Sequence, residues 1–291
     1  MVAADARAGG LGALMAWAWL GGGLVALATL LYWQLIIAEG AYLGRKVVSF
    51  LYDLHANDYD RIKGFNPQSE RRLLAEPLTH ALAQIPRPLL LDVATGTARL
   101  PRALLALPTF RGEIVGLDYS RQMLREAVRR TATWKERCTW VWHGASQLPF
   151  PANSFDAVSS LEALEFMPVP EQVLAEMVRV LRPGGVFLIS NRVGRHAAWL
   201  PGRSYQPQEF EELLRAHGLE MVHTQRWLVD YDLLWAVKPG LWRQPRAASG
   251  VETLRCPRCA QELRAEKEQL VCPQGHHFPI GADGVLELVE K

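Results

Sequence analysis

LLLDVATGTARL, residues 89–100, joins an apolar run ending in an acid to a turn of small residues and then to a helical pattern. Leu89, Leu90 and Leu91 form a run as short as a buried strand, and the following RLPRALLAL carries apolar residues at helical spacing. The turn between them has little bulk. Ala94, Gly96 and Ala98 let a backbone approach a ligand, and the next helix offers unpaired N–H groups at its start. A plain tight turn from strand to helix uses the same residues, so the surroundings must decide. No Lys-Ser or Lys-Thr pair is present to hold phosphates and Mg2+, which argues against a P-loop, and the spacing is not GxGxxG.

Working outward, GEIVGLD ends at Asp118, 26 positions after Asp92. A carboxylate at that strand end can accept both hydroxyls of a ribose. Tyr119 beside it either packs on a base or belongs to the core. Strand-like and helix-like stretches keep alternating through SRQMLREAVRR, TWVWHG, FDAVSSL, EQVLAEMVRVL, GGVFLIS and EFEELLRAHGLEMV, and end in a strand pair around MVHTQRWL and YDLLWAVKP. The alternation predicts an α/β fold over residues 89–239, a Rossmann-like parallel sheet with helices on both faces.

Four segments in this order, LDVATGTA, GLDYSRQML, SQLPFPANSFDAVSSLEALEFMP and MVRVLRPGGVFLIS, resemble a class I S-adenosylmethionine-dependent methyltransferase over about residues 50–239. LDVATGT with the upstream YDRI is similar to the methyltransferases of ubiquinone and menaquinone precursors. The resemblance implies that Asp92, Ala94, Thr95, Gly96 and Thr97 line the methionine and sulfonium end of S-adenosyl-L-methionine. Asp118 would hold the ribose, Tyr119 and Met123 would flank the adenine, and Leu161 and Glu162 would face the sulfonium. The chain departs from the family where an acidic residue often meets the adenine amine, because HGASQLPF has Gly144 and Ala145 there, so the resemblance implies adenine contacts from the backbone of these two residues or from Ser146.

Methyl transfer from a sulfonium is an in-line displacement that mainly needs two positioned reactants and no water. An acceptor carrying a proton also needs a base within reach. Glu162, Glu165 and His196 are the candidates, although for each an exposed or salt-bridged structural role is the commoner use of such a residue. Arg121, Arg125 and Arg129, with Arg130 beside them, form either a solvated helix face or a stripe for anionic headgroups.

From Ala8 to Ala38 no side chain is charged, a run of 31 residues. Roughly 20 residues of helix cross a hydrocarbon core, so residues 1–40 are expected to form a transmembrane anchor, with a cleaved signal peptide as the competing reading. Gly21, Gly22 and Gly23 mark a break in it. Arg45, Lys46, Arg61 and Lys63 follow the run and only Arg7 precedes it as a base, so the body is expected on the cytoplasmic side of the inner membrane. Residues 41–88, with apolar Leu43, Val47, Phe50, Leu51 and Leu54, read as a juxtamembrane helix and cap.

The C-terminal stretch 253–291, after a linker at 240–252, holds Cys256, Cys259, Cys272 and His276 as C-x2-C-x12-C-x3-H. Three thiolates and an imidazole make a closed tetrahedral set for structural Zn2+, with His277 as an alternative fourth ligand. A metal-free disulfide or redox pair is the other reading. Cys138 reads as a buried thiol. The module resembles the zinc ribbon of rRNA guanine methyltransferases, and FPIGADGVLEL is similar to the small zinc-binding activator of translation-apparatus methyltransferases. That resemblance implies either RNA as substrate or a protein partner. Residues 251–291 hold five Lys or Arg against seven Asp or Glu, and the 291-residue chain carries a net charge of only +2, so nucleic acid is disfavoured. The expected function is methyl transfer to a lipid, quinone or other small apolar acceptor. RNA methylation and a non-catalytic adaptor are the alternatives.

Overall fold

The computed structural model describes residues 5–195, 197–241 and 250–289. His196 and residues 242–249 of the expected linker lie outside them. Helix α1 (Asp5–Tyr32) passes without interruption through Gly21, Gly22 and Gly23 and continues as a wider turn over Trp33–Ile37. The triple glycine therefore does not make the expected break, because each glycine costs a helix only about 1 kcal/mol relative to alanine. Residues Trp17–Ile37 have the length and apolarity to cross a membrane.

After a tight turn come α2 (Arg45–His55) and three short helices, α3 (Tyr59–Lys63), α4 (Pro67–Glu70) and α5 (Glu76–Ala81). The alternating core follows: β1 (Leu89–Val93), α6 (Arg99–Leu105), β2 (Glu113–Asp118), α7 (Arg121–Arg130), β3 (Cys138–Trp142), β4 (Phe155–Ser160), α8 (Pro170–Val180), β5 (Leu181–Arg192), α9 (Pro207–Ala216), β6 (Glu220–Leu228) and β7 (Tyr231–Val237). The C-terminal module adds β8 (Arg264–Glu266), β9 (Gln269–Val271), β10 (His277–Pro279) and β11 (Leu286–Glu287).

The main sheet runs β11-β3-β2-β1-β4-β5-β7-β6. β1 lies parallel to β2 and β4 and is buried along its whole length, as its unbroken apolar run requires. The strand order reverses between β1 and β4, the switch point at which such sheets bind ligands. β7 pairs antiparallel with both β5 and β6, so the sheet is mixed rather than wholly parallel. A short hairpin between β6 and β7 permits this, whereas a parallel strand needs a crossover.

One core cluster packs β1, β4 and β5 against α8 and α9 and extends to Leu254, Leu270 and Phe278 of the C-terminal module. The other face carries Leu74, Leu78, Leu100, Leu104 and Phe110. The module also extends the sheet: Leu286 and Glu287 pair in parallel with Val141 and Trp142 of β3.

Candidate functional site

Three positive-φ residues shape the turn after β1: Ala94 at 55°, Gly96 at 54° and Ala98 at 63°. Left-handed backbone costs an L-residue about 1–2 kcal/mol, which explains the small side chains at these alternate positions. The turn is fixed from below. Asp92 accepts hydrogen bonds from Thr95 Oγ1 at 2.6 Å and Ser159 Oγ at 2.7 Å. Asp118 accepts from the backbone N–H of Gly96 and of Ser120, both at 2.8 Å, so the ends of β1 and β2 are tied through one carboxylate. Burial pushes Asp92 up to about 6, against the lowering effect of the Thr95 and Ser159 hydroxyls. Burial likewise pushes Asp118 up to about 6, against the lowering backbone hydrogen bonds.

A cleft opens above this turn, walled by Ala94, Gly96, Asp118, Tyr119, Gly144, Ala145, Leu161 and Glu162 on the sheet side. Asp92, Thr95 and Thr97 line a smaller adjoining hollow with Gly96, Leu161 and Glu162. The structure thus gathers all but one of the expected cofactor residues around two adjoining hollows. Met123 is the exception: it is buried, lines neither hollow, and its N–H bonds to the helix-capping Ser120 Oγ.

The roof comes from the segment expected as a juxtamembrane helix and cap. Arg45, expected only as a topological charge, reaches back over the Tyr119 ring, 4.8 Å from its centroid. Its Nη1 lies 3.2 Å from where a Cβ on Gly144 would stand, so a cation occupies the neighbourhood in which the family often has an acid. Ser49 Oγ donates to Tyr119 O, and Tyr52 and Tyr59 complete the α2 and α3 side. The cap is bolted down by Asp60, which accepts from Thr97 Oγ1, Arg102 Nη2 and Arg130 Nη1.

The candidate bases have different surroundings. Glu162, at φ 52°, pairs with Arg99 Nη1 and lies 3.6 Å from Lys63 Nζ. Arg99 in turn is gripped by both oxygens of Glu70 at 2.6 Å and stacks over Phe65 and Trp227. Glu165 accepts from the Tyr231 hydroxyl; burial raises its carboxyl, while that hydroxyl and Arg192 lower it. His196 lies outside the described residues.

The arginine stripe is largely used internally. Arg121 pairs with Asp283 and Glu287, Arg130 with Asp60 and Glu126, Arg129 with Glu126, and Arg125 with Gln122 Oε1. Burial pushes the half-buried Cys138 thiol up to about 11, which suits an inert core residue.

In the C-terminal module, one ligand atom each from Cys256, Cys259, Cys272 and His276 lies within 4.8 Å of the others. Cys259 and Cys272 sulfurs are 3.6 Å apart, and His276 Nδ1 is 3.5 Å from Cys256 Sγ and 3.3 Å from Cys272 Sγ. A tetrahedral Zn2+ with ordinary bond lengths spaces two sulfurs at roughly 3.8 Å and sulfur and nitrogen at roughly 3.5 Å, so the four residues fit the ion. His277 opens β10 and stands opposite Val271 of β9.

Residues 91–189 match a family described as a methyltransferase domain. An uncharacterized chloroplastic methyltransferase of Arabidopsis thaliana is 32% identical over 64% of this chain and 54% of its own length. The demethylmenaquinone methyltransferase of Clavibacter sepedonicus is 34% identical over 49% of this chain and 56% of its own. The chain therefore spans little more than half the length of these curated relatives. Among solved structures, a chain from the complex between the Haloferax volcanii Trm112 methyltransferase activator and the putative methyltransferase superposes with a TM-score of 0.51. It is 23% identical and covers 65% of this chain and 98% of its own. Sheet order, switch-point turn and sequence matches agree in supporting a class I S-adenosylmethionine-dependent methyltransferase domain over the matched residues.

Proposed function

We propose that this protein is a membrane-anchored methyltransferase that uses S-adenosyl-L-methionine to methylate a lipid, quinone or other small apolar acceptor at the bilayer surface. One observation carries the reading: the helix that roofs the cleft, α2, begins eight residues after the apolar Trp17–Ile37 stretch. An active site so close to the hydrocarbon meets acceptors that partition there, at raised effective concentration. The relatives named as demethylmenaquinone methyltransferases favour a quinone-like acceptor.

Bound S-adenosyl-L-methionine would supply an electrophilic methyl group. In this reading Asp118 takes the ribose, Tyr119 the adenine, and Asp92, Ala94, Thr95, Gly96, Thr97, Leu161 and Glu162 the methionine and sulfonium end. Arg45 and the α2 face keep water from the cleft. Glu162, held between Arg99 and Lys63, serves as an oriented anion rather than as a base. The body faces the cytoplasm, as Lys46 and its neighbouring cations favour. Zn2+ on Cys256, Cys259, Cys272 and His276 is structural, and the exposed face of the module is available to a protein partner.

Incubating membranes with methyl-labelled S-adenosyl-L-methionine and the full chain tests the reading. Label in the extracted lipid or quinone fraction supports it. Label in RNA alone, or no cofactor binding at near-millimolar concentration, overturns it.

A further inference from the structure

Along its second half, the apolar stretch Trp17–Ile37 does not stand clear of the rest of the chain. Trp33 Nε1 donates to Trp199 O at 3.0 Å, and the Trp33 ring stacks on Tyr42 with centroids 5.2 Å apart. Tyr42 in turn donates to Pro201 O at 2.9 Å. These contacts hold the loop after β5 against the helix. Ala26, Thr29, Leu30 and Trp33, which share one helical face, line a groove whose other wall is Ala198, Trp199 and Pro201. Ala26 lies about 16 Å before Ile37 along the helix axis, so the loop sits beside the span, not past its end. Trp199 is 55% exposed there, although it is the bulkiest residue of its loop.

The same loop leads to the cleft. Arg203 donates to Ala41 O, in the turn after the helix, and to Met167 O, on the rim of the cleft. Its guanidinium also covers Tyr42 at 5.3 Å. One side chain thereby joins the groove's lower end to the cleft wall.

We infer that the loop Ala197–Pro201 is seated in the bilayer, and that the groove between it and the Ala26–Trp33 face holds one hydrocarbon chain of a bilayer lipid. The chain's polar end then points toward the Met167 rim. The inference rests on reading Trp17–Ile37 as a membrane anchor. A tryptophan at this depth fits the interfacial preference of its ring, with an apolar body and a polar edge.

The test uses the full chain in phosphatidylcholine bilayers carrying doxyl groups on the acyl chains. A fluorescent amino acid replaces Val25, Trp199 or Met221 in three separate proteins; Met221 is exposed at the far end of β6. The expected result is quenching at position 199 within about twofold of that at position 25 and several-fold above that at position 221. Quenching at 25 with none at 199 overturns the inference while leaving the anchor intact; quenching at neither overturns the anchor and the inference together. For the groove itself, a phosphatidylcholine with a diazirine-bearing acyl chain is expected to label both the Ala26–Trp33 and Ala197–Arg203 segments. Ala26→Phe, which fills the groove, should reduce that labelling several-fold. Undiminished labelling in Ala26→Phe means lipid touches only the outer surface, and the groove assignment falls.

Discussion

Arg121 and Asp283 meet through two parallel hydrogen bonds of 2.8 Å each, Nη1 to Oδ2 and Nη2 to Oδ1, although 162 positions of chain separate them. Arg121 opens the helix that follows Asp118 and Ser120, so the C-terminal module is fastened next to the Asp118 carboxylate of the cleft. Asp283→Ala removes the fork but leaves Glu287 Oε1 at 3.1 Å to hold Arg121. Charge-assisted pairs contribute more than neutral ones, but this one is about a quarter exposed on the Asp side, so the expected loss is about 1 kcal/mol. A shift of the urea midpoint, with S-adenosyl-L-methionine affinity measured alongside, checks it.

Metal removal should act on the same seam. The four clustered ligands close the module, and the module's β11 supplies the edge partner of β3, with Leu288 N–H also donating to Trp142 O. Binding free energy of a structural metal is folding free energy, so a chelator should loosen β11 as well as the ligand loops. Amide exchange is expected to rise at residues 139–142 and 285–288 and to stay unchanged in β1 and β4. Unchanged exchange at residues 285–288 after confirmed metal loss would show that the module's docking does not depend on the ion.

Much of this architecture was legible locally. Asp92, the small residues at 94, 96 and 98, and Asp118 announce the switch-point turn because each constraint acts within a few residues: buried strand, positive φ, acidic strand end. The clustering of Cys256, Cys259, Cys272 and His276 was legible for the same reason, since their spacing is itself the signal. What could not be read were contacts made by chain return. Arg45 looks like a positive-inside charge, and nothing local tells that it turns back over Tyr119. Glu70 and Arg99 are ordinary charges on two helices until folding buries them together. The pairing of β11 with β3 hides in a two-residue strand whose pattern is too short to carry a period.

Glu70→Ala tests the buried hub that this folding creates. Glu70 occupies two Arg99 nitrogens, and both side chains are less than a tenth exposed. Removing one partner of a buried pair leaves an uncompensated charge, at a cost of about 3–5 kcal/mol. Glu162 still holds the third nitrogen, which places the expected loss near the lower end, about 3 kcal/mol. Denaturant unfolding reads this directly. Glu70→Gln, which keeps the shape and one acceptor, should lose less; equal losses would show that charge alone, and not packing, sets the cost.

The pH dependence follows from the two raised carboxyls, and it separates stability from binding. Asp92 and Asp118 both stand near 6 in the folded chain, against 3.8 as their ordinary value. Folding therefore favours their protonated forms. Their contribution is fully present below about pH 4 and is lost as pH rises through about 6, by about 3 kcal/mol for each group. These two residues thus oppose the usual acid destabilisation between pH 4 and 6. Binding should run the other way: in the proposed reading ribose hydroxyls donate to an ionised Asp118, so S-adenosyl-L-methionine affinity is expected to fall as pH drops below 6, by at most about tenfold per unit. Calorimetric titration from pH 5 to 8 measures the slope. Asp118→Asn should flatten it and lower the affinity at pH 8, because an amide oxygen cannot keep both backbone donors and the ribose. A wild-type affinity that does not change between pH 5 and 8 would mean that the ribose is held by another group.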